Sequence, residues 1–148
     1  MNNQHIQRSK RDFPARVDQP LRYADTDRQG HINNAVFSTL FECGRVDFLY
    51  DPNRPLSAEG SQFVIAEITM RFIDEMHWPN TVTVGTGVTR LGRSSFNLTQ
   101  CLFCEDQCVA SADSVMVLMD ETTRKSTALS ESTRAALEGL MCPQEHSS

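Results

Sequence analysis

The chain has 148 residues, enough for one domain with an ordinary core and too few for a second. Its formal net charge of −5 argues against broad electrostatic attraction to nucleic acid, so no nucleic-acid partner is expected. Cys43, Cys101, Cys104, Cys108 and Cys142 make an odd number, no apolar segment opens the sequence, and no apolar run reaches membrane-spanning length. These features lead us to expect free thiols, a cytoplasmic location and no membrane partner.

In chain order, residues 1–16 are polar and carry Arg8, Lys10, Arg11 and Arg16, with few apolar groups to fix them to a core. A flexible tail is expected there, with a single domain over 17–140 and a C-terminal tail over 141–148. Val17 to Tyr23 reads as the first strand, its start at an edge or irregular because Pro20 cannot donate to a ladder. A polar turn with Asp25, Asp27 and Gly30 follows. Asn33 is a candidate N-cap for a helix whose apolar positions Val36, Phe37, Leu40, Phe41 and Gly44 recur at helical spacing. Asp51-Pro-Asn-Arg-Pro55 stops that helix.

From Phe63 to Ile73 the residues alternate, with Val64, Ala66, Ile68, Met70 and Phe72 on one face and Glu67, Thr69 and Arg71 on the other. The period of two predicts a strand that covers the helix with its apolar face. Three further strands, Thr81 to Leu91, Ser94 to Phe103 and Cys108 to Asp120, are joined by short turns into an antiparallel meander. Gly85 and Gly87 mark a bend or bulge. Ser130 caps a last short helix through Leu140, with Ala135, Leu137 and Leu140 as its buried side. One long apolar helix followed by an antiparallel sheet long enough to wrap it is an α+β layout.

The junction of the polar turn with the long helix is where chemistry is expected. The first amides of a helix have no internal partners and carry partial positive charge, so they can polarise a carbonyl or hold an oxyanion. Asp27 precedes Asn34 by seven residues, close enough in a compact turn to face whatever those amides hold, and Gly30 lets the turn bend and a ligand approach. One carboxylate facing backbone donors is a minimal acyl-transfer site.

At Tyr23, Asp25, Thr26, Asp27, Gly30, His31, Asn33 and Asn34, and again at Glu42 to Arg45, the chain resembles the hotdog-fold acyl-CoA thioesterases of the 4-hydroxybenzoyl-CoA thioesterase type. Their pattern is an aromatic residue, Asp-x-Asp, Gly, often His-x-Asn-Asn, then a helix with Glu-x-Ala-Arg. The resemblance covers about Val17 to Leu140 and implies a hotdog fold with a long central helix wrapped by an antiparallel sheet. It also implies hydrolysis of an acyl-CoA thioester, with the catalytic carboxylate falling on Asp27. Gly30, His31, Asn33 and Asn34 would position substrate, the Asn34 amide contacting the thioester oxygen. Arg90, Arg93 and Ser94 become possible CoA contacts. Sites in this family usually form between subunits, so a homodimer or homotetramer is expected. A thioester suits so spare a site because its carbonyl is more electrophilic than an amide's and its leaving thiol has a pKa of roughly 8.5.

Competing assignments remain open at this level. Asp27 either attacks the carbonyl or takes a proton from water. Asp25 is read as a structural partner of the turn. Glu42 is a reserve carboxylate, since a second hotdog subtype takes its base from mid-helix, although an ion pair or hydrogen bonds with Arg45 is its simpler role. Hotdog dehydratases use a histidine, but there Asp and His stand five apart around Asn-Pro. Asp27 and His31 are four apart without a proline, so His31 is read as a positioning residue. Cys101, Cys104 and Cys108 have no fourth ligand nearby, so no metal and no cofactor beyond the CoA ester itself are expected. The alternative to an enzyme is a hotdog that binds acyl-CoA or acyl-carrier protein without turnover.

Overall fold

The computed structural model describes residues 8–143. Its elements in chain order are β1 (Ala15–Pro20), α1 (Asn34–Leu49), β2 (Ser61–Phe72), β3 (Thr81–Leu91), β4 (Ser95–Cys104), β5 (Gln107–Asp120) and α2 (Glu131–Glu138). The strands form one antiparallel sheet in the order β1-β3-β4-β5-β2, so the expected meander lies in the middle and β1 and β2 are the edges. Helix α1 lies across β1, β3 and β4 and turns Phe37, Leu40, Phe41, Gly44, Phe48 and Leu49 inward. This is the hotdog arrangement. Its core runs in two parts, one around Phe37, Leu40 and Phe41 against Val82, Val84 and Leu102, the other around Phe48 and Leu49 against Val88, Phe96 and Leu98.

Gly44 sits where helix and sheet come closest. A Cβ there would lie 2.8 Å from Gln100 Nε2 and nearer still to the Val84 side chain, so no larger residue fits without a shift. One turn of helix thereby rests directly on β3 and β4.

Structure starts earlier than the expected boundary at Val17. A 3-10 turn at Lys10–Asp12 leads to Phe13, which is only 1% exposed and packs edge-on against Phe103 at 5.8 Å between ring centroids. One aromatic anchor fixes the segment, while residues 1–7 of the expected tail lie outside the described residues. The glycines of β3 make room for this: a Cβ on Gly85 would come within 2.6 Å of the Phe13 ring, and one on Gly87 would collide with the Cys142 sulfur. Close approach, not the bulge expected there, accounts for both; the irregularity in β3 falls at Thr89, between Val88 and Arg90. Met141 bridges Val88 and Cys142 is buried, so the expected C-terminal tail begins with packed residues, and 144–148 lie outside the described ones.

Strand β2 departs from the single apolar face read from its alternation. A bulge at Ala66, between Ile65 and Glu67, inserts one residue and inverts the faces. Phe63 before the bulge and Met70 after it therefore share the face that packs on the core; Ile65, Ile68 and Phe72 lie on the same face and are exposed. The strand flanks the layer instead of covering α1. In α2, Ser130 caps as expected by accepting from the Thr133 N–H, but Thr133 is buried, its hydroxyl donating to the Leu56 carbonyl, while Ala135 faces solvent. Among the described residues, no helix is long and apolar enough to cross a membrane.

Candidate active site

The turn between β1 and α1 is built by its two aspartates in different ways. Asp25, 7% exposed, accepts from the Arg22 backbone N–H at 2.8 Å and from the Arg22 guanidinium at 2.9 Å. That hydrogen-bonded pairing holds its carboxyl below the usual carboxylate range despite burial. Its carbonyl accepts the Asn33 N–H, so Asp25 ties the entry of the turn to its exit. This is the structural role read for it.

Asp27 is exposed, and one carboxylate oxygen, Oδ1, accepts the backbone N–H groups of Gln29 at 2.8 Å and His31 at 3.1 Å. The chain closes round it through Asp27 N–H to the His31 carbonyl and Gly30 N–H to the Asp27 carbonyl. Gly30 has φ +81°, a conformation costly for other residues. The carboxylate is thus oriented by two amides through Oδ1, and Oδ2 has no partner among the described residues.

Asn33 caps α1, its side-chain oxygen accepting from the Ala35 N–H at 2.9 Å. The Val36 N–H reaches the Asn33 carbonyl. The N–H of Asn34, the first residue of the helix, has no acceptor among the described residues. Asp27, His31 and Asn34 line one cleft of about 500 Å³, with Ile32, Phe37, Phe72 and Ile73 as apolar wall and Gln29, Asp74 and Glu75 as further polar groups. Phe72 leans edge-on against Phe37 at 5.1 Å, which joins the end of β2 to the start of α1. A carboxylate with a free oxygen, an unpaired helix-start amide and an apolar wall share one space. That combination suits polarising and attacking a carbonyl on a chain held by apolar contact.

The remaining candidates fall elsewhere. Glu42 lines a second groove with Val17, Thr39 and Val46, away from Asp27. It forms no ion pair with Arg45, which turns inward, is 6% exposed and donates to Gln100 Oε1 at 3.3 Å; burial lowers its pKa. Neither the ion pair nor the hydrogen bond read between Glu42 and Arg45 is present; the partner of Arg45 is Gln100. Arg90, Arg93 and Ser94 do not line the Asp27 cleft; the 92–94 turn is tied through its carbonyls to Arg134, Leu129 and Leu118. Cys101 is buried beside Cys108, whose hydrogen bond raises its pKa, with burial adding to the rise. Cys142 is pushed up to about 11 by burial. Neither thiol is a thiolate near neutrality, which for Cys101 fits the structural role read from the sequence.

The opposite wall of the cleft, Phe72 to Glu75, was not singled out from the sequence. Its signal is the run after β2 in which buried Met76 separates exposed Glu75 and His77. His31 and His77 form an isolated antiparallel bridge, and the Ile32 N–H donates to the Met76 carbonyl at 2.9 Å. This segment is bound to the Asp27 turn by backbone pairing.

A sequence model described as the thioesterase-like superfamily matches residues 21–137. Among solved structures, a thioesterase from Thermus thermophilus, complexed with coenzyme A and Zn, is 28% identical, with a TM-score of 0.75 over 87% of this chain and 95% of that one. YbaW from Escherichia coli, described as a probable thioesterase, is 26% identical, with a TM-score of 0.74 over 85% of this chain and 98% of the other. The PA5185 protein of Pseudomonas aeruginosa shares the fold at a TM-score of 0.81, with 21% identity over 93% and 98% of the two chains. A search of proteins with curated functions finds no match.

Proposed function

Because the chain belongs to the thioesterase-like superfamily, we propose that it hydrolyses an acyl-CoA thioester to the free acid and CoA, with Asp27 as the catalytic carboxylate. The observation that carries the reading is the shared cleft, in which Asp27 presents a free Oδ2 while the unpaired Asn34 N–H opens α1. The acyl group lies along Phe37, Phe72 and Ile73, and the thioester oxygen accepts from Asn34 N–H, where developing negative charge is stabilised most. Oδ2 then attacks the carbonyl carbon and expels the thiolate, giving an anhydride that water opens to the free acid and the regenerated carboxylate, or it removes a proton from the water that attacks the carbonyl and displaces the thiolate directly. Hydroxylamine separates these routes, since only the anhydride leaves a hydroxamate on Asp27.

CoA as the thiol carrier is supported by the Thermus relative, whose structure holds coenzyme A. Gly30, His31 and Asn33 shape the turn and cap, whereas Arg90, Arg93 and Ser94 lie outside this chain's own cleft and would meet CoA only if a second subunit brought them to it. The outer edge of β2, with Ile65, Ile68 and Phe72 exposed, is the surface we assign to pairing in a homodimer or dimer of dimers. Five unbridged cysteines suit a cytoplasmic setting.

The test is thiol release from short, long and aromatic acyl-CoAs by the purified protein. Turnover of at least one class supports the hydrolase. Tight binding of every ester with no release on any would replace it with a carrier that holds acyl-CoA.

A further inference from the structure

Three side chains outside the proposed hydrolytic step converge beside the cleft. His31 and His77 are directly opposed in an antiparallel bridge, which puts their side chains on the same face. Glu75 precedes His77 by two residues, and the buried Met76 between them points the other way, so Glu75 joins that face. Glu75 Oε2 lies 3.3 Å from His31 Nε2 and 3.7 Å from His77 Nε2, and the three donor atoms all lie within 4.8 Å of one another. The two rings meet at 81° with centroids 5.0 Å apart, so they are edge-on and not stacked.

The separations are those of a loose ion pair and also leave room for a shared ion. A charge-assisted N–H to carboxylate bond is typically about 2.7–2.9 Å, shorter than either contact. Ligand atoms bound tetrahedrally to zinc at about 2.0–2.2 Å stand roughly 3.3–3.6 Å from one another, near the 3.3 and 3.7 Å that Glu75 makes with His31 and His77. Two imidazole nitrogens and one carboxylate oxygen are a donor set that zinc-class cations accept, leaving a fourth position for water. The side chains of His31, Glu75 and His77 are 34%, 60% and 58% exposed, so an ion can reach them from solvent.

We propose that His31, Glu75 and His77 form a binding site for a zinc-class divalent cation on the rim of the cleft. The ion clamps the Asp27 turn to the segment after β2, because His31 also supplies a backbone N–H to Asp27 Oδ1. It also offsets negative charge where Asp27, Asp74 and Glu75 gather. The site departs from the expectation of a chain without a metal.

The probe is Zn²⁺ alone, titrated calorimetrically into chelator-stripped protein, with Co²⁺ as a spectroscopic reporter of coordination. One ion per chain is expected, with thermal stabilisation by the metal and four-coordinate Co²⁺ bands. Losing an outer partner of a metal site costs about 10–100-fold in affinity, so His77→Ala and Glu75→Gln should each lose at least that much, together with the stabilisation. Both positions are exposed, so the variants should keep the metal-free melting temperature. No stoichiometric Zn²⁺ binding by the wild type, or binding unchanged in both variants, would overturn the site. Binding is read without any thioester, so its failure and that of the hydrolase reading are separate results.

Discussion

The two ends of α1 do opposite things with the same sheet. Near its C-terminal half, Gly44 lets the helix touch β3 and β4, and the buried Gln100 donates to the Phe41 carbonyl and the Thr86 hydroxyl, each at 3.0 Å, while accepting from Arg45. At its N-terminus the helix meets β2 through Phe37 against Phe72, its first N–H has no acceptor among the described residues, and a cleft of about 500 Å³ opens beside an exposed Asp27. Dense, satisfied packing fixes the helix axis. Among the described residues, Asp27 Oδ2 and the Asn34 N–H, both without partners at this open end, are groups that a substrate would satisfy.

If that division holds, substitutions at the packed end should cost stability and those at the open end should cost turnover. Gln100→Leu should have the largest effect on folding, about 3 kcal/mol, because it leaves the guanidinium of Arg45 buried without its partner. The double variant Arg45→Met, Gln100→Leu should recover much of this in urea unfolding. Failure to recover would mean that the polar pair itself holds the helix down. Gly44→Ala should destabilise by about 1–2 kcal/mol, the steric shift against Val84 and Gln100 outweighing the gain in helix propensity. A thermal midpoint unchanged or raised would show that the close approach is slack.

Asn33→Ala removes the cap on the cleft side and should cost about 1 kcal/mol. Its fall in kcat should exceed its change in KM if helix-start geometry matters chiefly in the transition state. The smallest effect is on pH. The Arg22 pairing lowers the Asp25 pKa, so the folded state holds that proton less tightly than the unfolded chain. Its stabilisation is present above the ordinary carboxylate value of about 3.9 and is lost as pH falls through the lower folded one. Melting temperatures between pH 5 and 3 should therefore fall less steeply in Asp25→Asn than in the wild type.

Much of this contrast was legible in the chain. The cap at Asn33, the helical spacing of Phe37, Leu40 and Phe41, the turn glycine at Gly30 and the three-stranded meander are local patterns, and each stands where its pattern put it. What was not legible depends on partners distant in sequence. The bulge at Ala66 is defined by the register of β2 on β5, and it inverts an alternation that looked unbroken. Phe13 is an isolated aromatic in a polar stretch, and only the space left at Gly85 makes it an anchor. Glu75 and His77 acquire meaning once a backbone bridge brings them against His31.

The central claim is that Asp27 does chemistry while contributing little to the fold. The direct test compares thiol release by wild type and Asp27→Asn on whichever acyl-CoA is turned over, with a melting curve for each. Asparagine keeps a side-chain oxygen for the amides of Gln29 and His31 but loses the nucleophilic or basic oxygen. The account predicts a fall in kcat of about 10²–10⁴-fold or more, with substrate binding and melting temperature retained. Release undiminished in Asp27→Asn would contradict it and move the catalytic carboxylate to another residue, with Glu42 the first to examine.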